Sequence, residues 1–106
     1  MAAQALAIDY THLANQAGGD QALMREVLRL FLEHGETVLA ALAAARDTKS
    51  WFEHAHALKG SARGIGAFGV ADAAAAAEKS PLDQNVIPAL RDAFALAKTE
   101  IARFTV

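Results

Sequence analysis

Apolar residues recur along most of the chain at the three- and four-residue spacing of an α-helix. Such spacing places them on one side of a helix, so each stripe predicts an amphipathic helix packed in a bundle. No segment alternates convincingly at the two-residue period of a strand. The first stripe consists of Met24, Leu28, Phe31, Gly35, Val38, Leu42 and Ala45. The last stripe consists of Ile87, Leu90, Phe94, Ala97, Ile101 and Phe104.

Capping residues and helix breakers divide the chain between these stripes. Residues 8–16 are predicted to form one or two helical turns with Leu13 facing inward. Gly18-Gly19-Asp20 then breaks the chain, with Asp20 as the N-cap of the next helix. The stretch 50–53 fits a capping box, with Ser50 as N-cap and Glu53 reaching back. It predicts a third long helix that ends at about residue 66.

A further helix is predicted from about residue 67 to 79, through the alanine tract at 73–77. Alanine is the best helix former, and Ser80-Pro81 then ends the helix. Gly35 lies on the first stripe and marks either a close approach of two helices or a local bend. Together the elements predict an all-α fold, an antiparallel four-helix bundle with a short extra N-terminal helix. Residues 1–106 are long enough for one domain and too short for two.

Composition and charge exclude several classes of function. Cysteine is absent, which rules out disulfides, thiolate metal sites and thiol nucleophiles. The formal net charge is −2, a poor match to a nucleic-acid-binding protein with its clustered positive field. No apolar run approaches the roughly 18 residues that a bilayer span needs. The opening MAAQALAIDYTHL lacks the features of a secretory signal, so a cytoplasmic location is expected, with no membrane partner.

The third helix separates an apolar side from a face that carries chemistry. At about 100° per residue, His56, Lys59, Gly60 and Arg63 share an arc away from the apolar stripe. Each interior glycine costs a helix about 0.5–1 kcal/mol relative to alanine. The glycines at 60 and 64 therefore favour a docking surface where another protein approaches the imidazole. The apolar stripe consists of Trp51, Ala55, Leu58, Ala62 and Ile65.

His56 and Lys59 suit phosphoryl transfer. An exposed imidazole is often neutral at cellular pH and then has a free nucleophilic nitrogen. The ammonium of Lys59, three residues further on, would attract a phosphoryl group arriving at the ring. In this chemistry the protein mainly supplies position and charge stabilisation. One tautomer must be fixed by an acceptor at the other ring nitrogen, and the spacing alone does not identify that acceptor.

The stretch Ala55-His56-Ala57-Leu58-Lys59-Gly60-Ser61-Ala62, followed by Gly66, resembles the signature of histidine phosphotransfer (HPt) domains. Gly18-Gly19-Asp20 before a long helix, and the approach from Asp47 to Trp51, also resemble the family pattern. Members of this family are four-helix bundles whose signature histidine is phosphorylated and hands its phosphoryl group to a receiver-domain aspartate.

The resemblance implies a role for each residue that matches the signature. His56 would be the phosphoacceptor through Nε2, Lys59 the electrostatic partner and Gly60 the residue that gives clearance. Glu78 would orient His56 by bonding its other nitrogen; the alternative for Glu78 is a last-turn carboxylate paired with Lys79.

The same resemblance implies the partners and the limits of the activity. His56 would exchange a phosphoryl group with receiver-domain aspartates in a two-component phosphorelay, with a response regulator or a hybrid histidine kinase as partner. Arg63 and Gly64 would tune the choice of partner. The chain would need no cofactor, since Mg²⁺ is expected on the receiver, and it would have no kinase or ATPase activity of its own.

Two alternatives to this interpretation stay open at the level of sequence. One is a non-catalytic module that docks a receiver with the same face, and the other is a structural or dimerisation bundle with an incidental motif. A metal site is not expected, because His54 and His56 are two residues apart and point to nearly opposite sides of a helix. His12 and His34 lack a companion at ligand spacing.

Overall fold

The computed structural model describes residues 7–105 of the chain. Within that range all regular secondary structure is helical, which confirms the predicted all-α class and the short N-terminal helix. The elements are α1 (Tyr10–Gln16), α2 (Gln21–Ala44), α3 (Thr48–Ile65), α4 (Phe68–Glu78), a 3-10 turn (Gln84–Val86) and α5 (Ile87–Thr105). α3 packs against α2 and α4, α5 packs against the same two helices, and α1 lies against α2 and α3.

Aspartate side chains cap the first three helices. Asp9 and Asp20 each accept a hydrogen bond from the backbone N–H three residues further on. Asp47 does the same for α3, which begins at Thr48, so the prediction of Ser50 as N-cap was wrong. The Asp47 carboxylate accepts both the N–H and the hydroxyl of Ser50, at 2.8 and 3.0 Å. Ser50 therefore donates hydrogen bonds inside the first turn of α3, because the Asp47 carboxylate caps the helix.

The apolar stripes predicted for α2 and α5 form the core of the bundle. The stripe of α2 is buried from Met24 to Leu42, while Ala45 is its half-buried C-cap. α2 continues through Gly35, where an added Cβ would lie 2.8 Å from Cζ of Phe94. Gly35 therefore marks a close approach of α2 and α5.

The alanines of α4 allow it to lie close to α3. Ala71, Ala74 and Ala77 are buried against the core, and small side chains permit a short distance between helix axes. Trp51 of α3 is fully buried, and its indole N–H donates to the backbone carbonyl of Ala77 at 2.7 Å. This hydrogen bond fixes how far α4 is shifted along α3.

No helix in the described part of the chain combines the length and the apolar character that a bilayer span requires. The prediction that the opening stretch is not a secretory signal concerns residues 1–6 as well, and these lie outside the described residues.

Candidate functional site

The site is built on the exposed face of α3, at His56. The predicted apolar stripe of this helix, from Trp51 to Ile65, is buried, and this leaves His56 on the outer side. The His56 side chain is 61% exposed. Lys59, one turn further on, is only 18% exposed because its ammonium turns toward α4.

Glu78, the last residue of α4, joins the two signature residues. Its Oε2 lies 2.7 Å from Nδ1 of His56, and its Oε1 lies 2.7 Å from Nζ of Lys59. The carboxylate is 11% exposed and uses one oxygen for each partner. Glu78 is thus in contact with His56 and Lys59, and the pairing with Lys79 is not what the structure shows.

The charges around Glu78 determine which nitrogen of His56 carries the proton. The hydrogen bond from Lys59 lowers the pKa of the Glu78 carboxyl; burial acts in the opposite direction, and the hydrogen bond with His56 lowers it further. An ionised carboxylate can only accept hydrogen bonds, so Nδ1 of His56 must donate. In a neutral ring the lone pair then belongs to Nε2, which has no hydrogen-bond partner among residues 7–105.

The packing of α4 on α3 brings the carboxylate to the imidazole. Ala77, whose carbonyl accepts the Trp51 indole N–H, directly precedes Glu78. Trp51 also lies on α3, five residues before His56, so the hydrogen bond ties the end of α4 to the segment of α3 that carries the histidine. The fully buried Trp51 therefore helps to hold Glu78 beside His56.

Three further residues predicted for the docking face are exposed on the same helix. Gly60, Arg63 and Gly64 all face solvent. An added Cβ at Gly60 or Gly64 would meet no atom of the described residues within 4 Å. Packing among residues 7–105 therefore does not require glycine at these two positions, although each glycine destabilises the helix.

Sequence reasoning missed Phe52, which lies one turn before His56. Its side chain is 48% exposed, and its ring stacks on the imidazole with centroids 5.4 Å apart and an angle of 17° between the planes. The signal was present, because residues four apart on a helix are neighbours. An aromatic residue four positions before the histidine could therefore have been included in the site.

Residues 7–105 contain no group of three or more histidine, aspartate or glutamate side chains arranged to hold an ion. His12 lies apart from the site and packs edge-on against Phe68, with ring centroids 5.3 Å apart.

Comparisons with known proteins identify a matching family and a similar solved structure. The family model described as Hpt domain matches residues 26–102. The solved structure of the histidine phosphotransferase ShpA from Caulobacter crescentus is 32% identical in sequence, covering 92% of this chain and 89% of that one, with a TM-score of 0.75. No curated protein sequence gives a significant match.

Proposed function

The chain belongs to the Hpt domain family, and from this premise we propose that His56 is the residue that accepts and donates the phosphoryl group. The family match and the structural similarity confirm the prediction of a histidine phosphotransfer domain of phosphorelays. Hpt domains relay phosphoryl groups with receiver domains. The assignment to His56, and the roles of its neighbours, are our own.

The observation that carries the assignment is the contact between Glu78 and Nδ1 of His56. With the proton held on Nδ1, the lone pair of Nε2 attacks the phosphorus of the receiver's aspartyl phosphate. The P–O bond to the aspartate breaks, a P–N bond to Nε2 forms, and the aspartate leaves as a carboxylate. The Nδ1 proton stays in place, and the negative charge of Glu78 stabilises the positive charge that develops on the ring.

Lys59 supplies the second charge of the site. Its ammonium is held at Glu78, beside the ring, where it attracts the oxygens of an incoming phosphoryl group. Glu78 therefore has two functions in the proposal: it orients the imidazole, and it holds the ammonium of Lys59.

The receiver would dock over the exposed face of α3 beside α4. Gly60 gives clearance for the partner backbone, and Arg63 and Gly64 tune partner choice. We take residues 1–106 as one cytoplasmic domain whose partner is a response regulator or a hybrid histidine kinase. The Mg²⁺ ion for the transfer would be held by the receiver, and the chain would neither bind nor hydrolyse ATP.

Transfer of radiolabelled phosphate from phosphorylated receiver domains tests the assignment. The variants are His56→Gln and, as a matched control, His54→Gln, which removes a half-buried histidine from another side of the same helix. We expect acid-labile, base-stable label on the wild type and on H54Q, and none on H56Q.

Label on H56Q equal to that on the wild type would overturn the assignment. An absence of label on all three proteins, with receiver binding retained, would instead favour the non-catalytic docking module.

A further inference from the structure

Phe52 is a large apolar side chain whose surface is 48% exposed to solvent. Scattered exposed apolar residues are normal on protein surfaces, and their exposure alone carries no argument. Phe52 differs because its ring is nearly parallel to that of His56, at 5.4 Å between centroids. Its neighbour Trp51 is the residue of this pair that fills the core.

The geometry points to Phe52 as a positioning residue for phosphoryl transfer: its ring holds the plane of the His56 imidazole so that Nε2 faces the docked receiver. The inference rests on the proposed role of His56 as phosphoacceptor. It assigns to Phe52 a task that the hydrogen bond from His56 to Glu78 does not complete.

The hydrogen bond between His56 and Glu78 fixes one point of the ring. The imidazole turns about its Cα–Cβ and Cβ–Cγ bonds, and a single hydrogen bond still allows it to pivot by small rotations about both. The parallel ring of Phe52 restricts this pivoting, because an offset stack is lost when one plane tilts. Two contacts, one at Nδ1 and one on the ring face, therefore define the direction of Nε2.

The direction of Nε2 matters because its lone pair lies in the plane of the imidazole. The lone pair must point along the line of the breaking P–O bond, since the attacking and leaving atoms are roughly in line during the transfer. A pivot of the ring turns the lone pair away from that line. Because His56 is 61% exposed, it has few other contacts that could resist such a pivot.

The test uses Phe52→Leu, which keeps an apolar side chain but removes the flat ring, and Phe52→Tyr, which keeps the ring. The matched control is Phe68→Leu, the same substitution at a 41% exposed phenylalanine that packs on His12 instead. Circular dichroism checks that each variant folds.

The first measurement is the proton NMR spectrum of the His56 ring in the unphosphorylated chain, assigned with H56Q. We expect the ring current of Phe52 to shift these protons upfield in the wild type, F52Y and F68L, and the shift to be lost in F52L. If the chemical shifts of the His56 ring protons are the same in F52L and the wild type, the two rings do not stack, and the inference is wrong.

The second measurement is single-turnover transfer from a phosphorylated receiver over a range of receiver concentrations. We expect F52L to lower the maximal rate roughly tenfold, as a misdirected reacting atom would. F52Y and F68L should keep the rate of the wild type, and the concentration for half-maximal rate should not change.

Each other outcome points to a different error. A raised half-maximal concentration with an unchanged maximal rate would make Phe52 a docking contact only. A labelled wild type with an equally fast F52L would overturn the role of Phe52 alone. A wild type that takes no label from any receiver would overturn the assignment of His56, and the transfer role of Phe52 with it.

Discussion

At the scale of single residues, Glu78 receives two hydrogen bonds that only a carboxylate can satisfy together. The Nδ1–H of His56 and the ammonium of Lys59 are both donors, and each has one oxygen of Glu78 at 2.7 Å. A glutamine offers one acceptor oxygen and one donor group, so it would leave one partner facing a second donor. The negative charge of Glu78 is therefore needed to pair with both donors at once.

We expect Glu78→Gln to lower the free energy of unfolding by about 1–2 kcal/mol at pH 7, because a largely buried contact to Lys59 or His56 is lost. The pKa of Glu78 is lowered in the folded chain by Lys59 first and by His56 as well. Its stabilisation is therefore fully present above the unfolded pKa, about 4.3, and is lost as pH falls through the lower folded pKa.

Urea unfolding of wild type and E78Q between pH 7 and pH 3 measures this dependence. The difference between the two proteins should narrow in the acid range, where the wild-type carboxyl is protonated. A difference that stays constant with pH would show that the charge of Glu78 contributes nothing to stability.

At the scale of the elements, the glycines of α3 separate into two kinds. Gly66 ends the helix with a positive φ of 84°, and a Cβ there would lie 2.7 Å from the carbonyl oxygen of Asp9. Gly60 is inside the helix, and a Cβ there would meet no atom of residues 7–105 within 4 Å. The fold requires the first glycine, whereas packing among these residues does not require the second, which weakens the helix.

We expect Gly60→Ala to raise the free energy of unfolding by about 0.5–1 kcal/mol, the cost of a helical glycine. Gly60→Arg should also fold, but it should bind a receiver at least tenfold more weakly, because a long side chain then covers the face beside His56 (about 1.4 kcal/mol per tenfold change). Chemical denaturation and calorimetric titration with a receiver measure the two effects.

Gly66→Ala is the control for the stability measurement, and it should be destabilised where G60A is stabilised. Unchanged receiver binding by G60R would place the docking face elsewhere on the bundle.

The helices could be predicted from local patterns in the sequence, but the contact between two of them at the site could not. The stripes of α2, α3 and α5 were predictable because their three- and four-residue spacing is a local property. The start of α3 was misplaced because Asp47 and Ser50 are both good N-caps, and spacing does not decide which of them caps the helix. The contact of Glu78 with His56 depends on the shift of α4 along α3. That shift is set by the buried hydrogen bond from Trp51 to the Ala77 carbonyl, which no local pattern encodes.

At the scale of the whole molecule, residues 7–9 join α5 to the turn between α3 and α4. The Glu100 carboxylate of α5 accepts the backbone N–H groups of Ala7 and Ile8, at 2.8 and 3.0 Å. Asp9 donates its backbone N–H to the carbonyl of Gly66, at 2.8 Å, where α3 ends. The segment before α1 is therefore attached to α5 and to the α3–α4 turn together.

Tyr10 reports on this attachment, since it is the one tyrosine of the chain. Its ring stacks on Phe104, with centroids 5.0 Å apart. Burial raises the pKa of Tyr10 to about 12, and the charge and hydrogen bond of Glu100 add to this effect. The folded state thus favours the neutral phenol, and stability should fall as pH rises from the unfolded pKa, about 10, toward the folded value.

Ultraviolet titration of the phenolate measures this pKa directly, because no second tyrosine contributes to the signal. We expect a midpoint near 12 in the folded chain and near 10 in concentrated urea. Glu100→Gln should lower the folded midpoint, since it removes the negative charge beside the phenol, and Tyr10→Phe should abolish the alkaline loss of stability that Tyr10 causes. A folded midpoint near 10 would mean that Tyr10 is neither buried against the bundle nor close to the negative charge of Glu100.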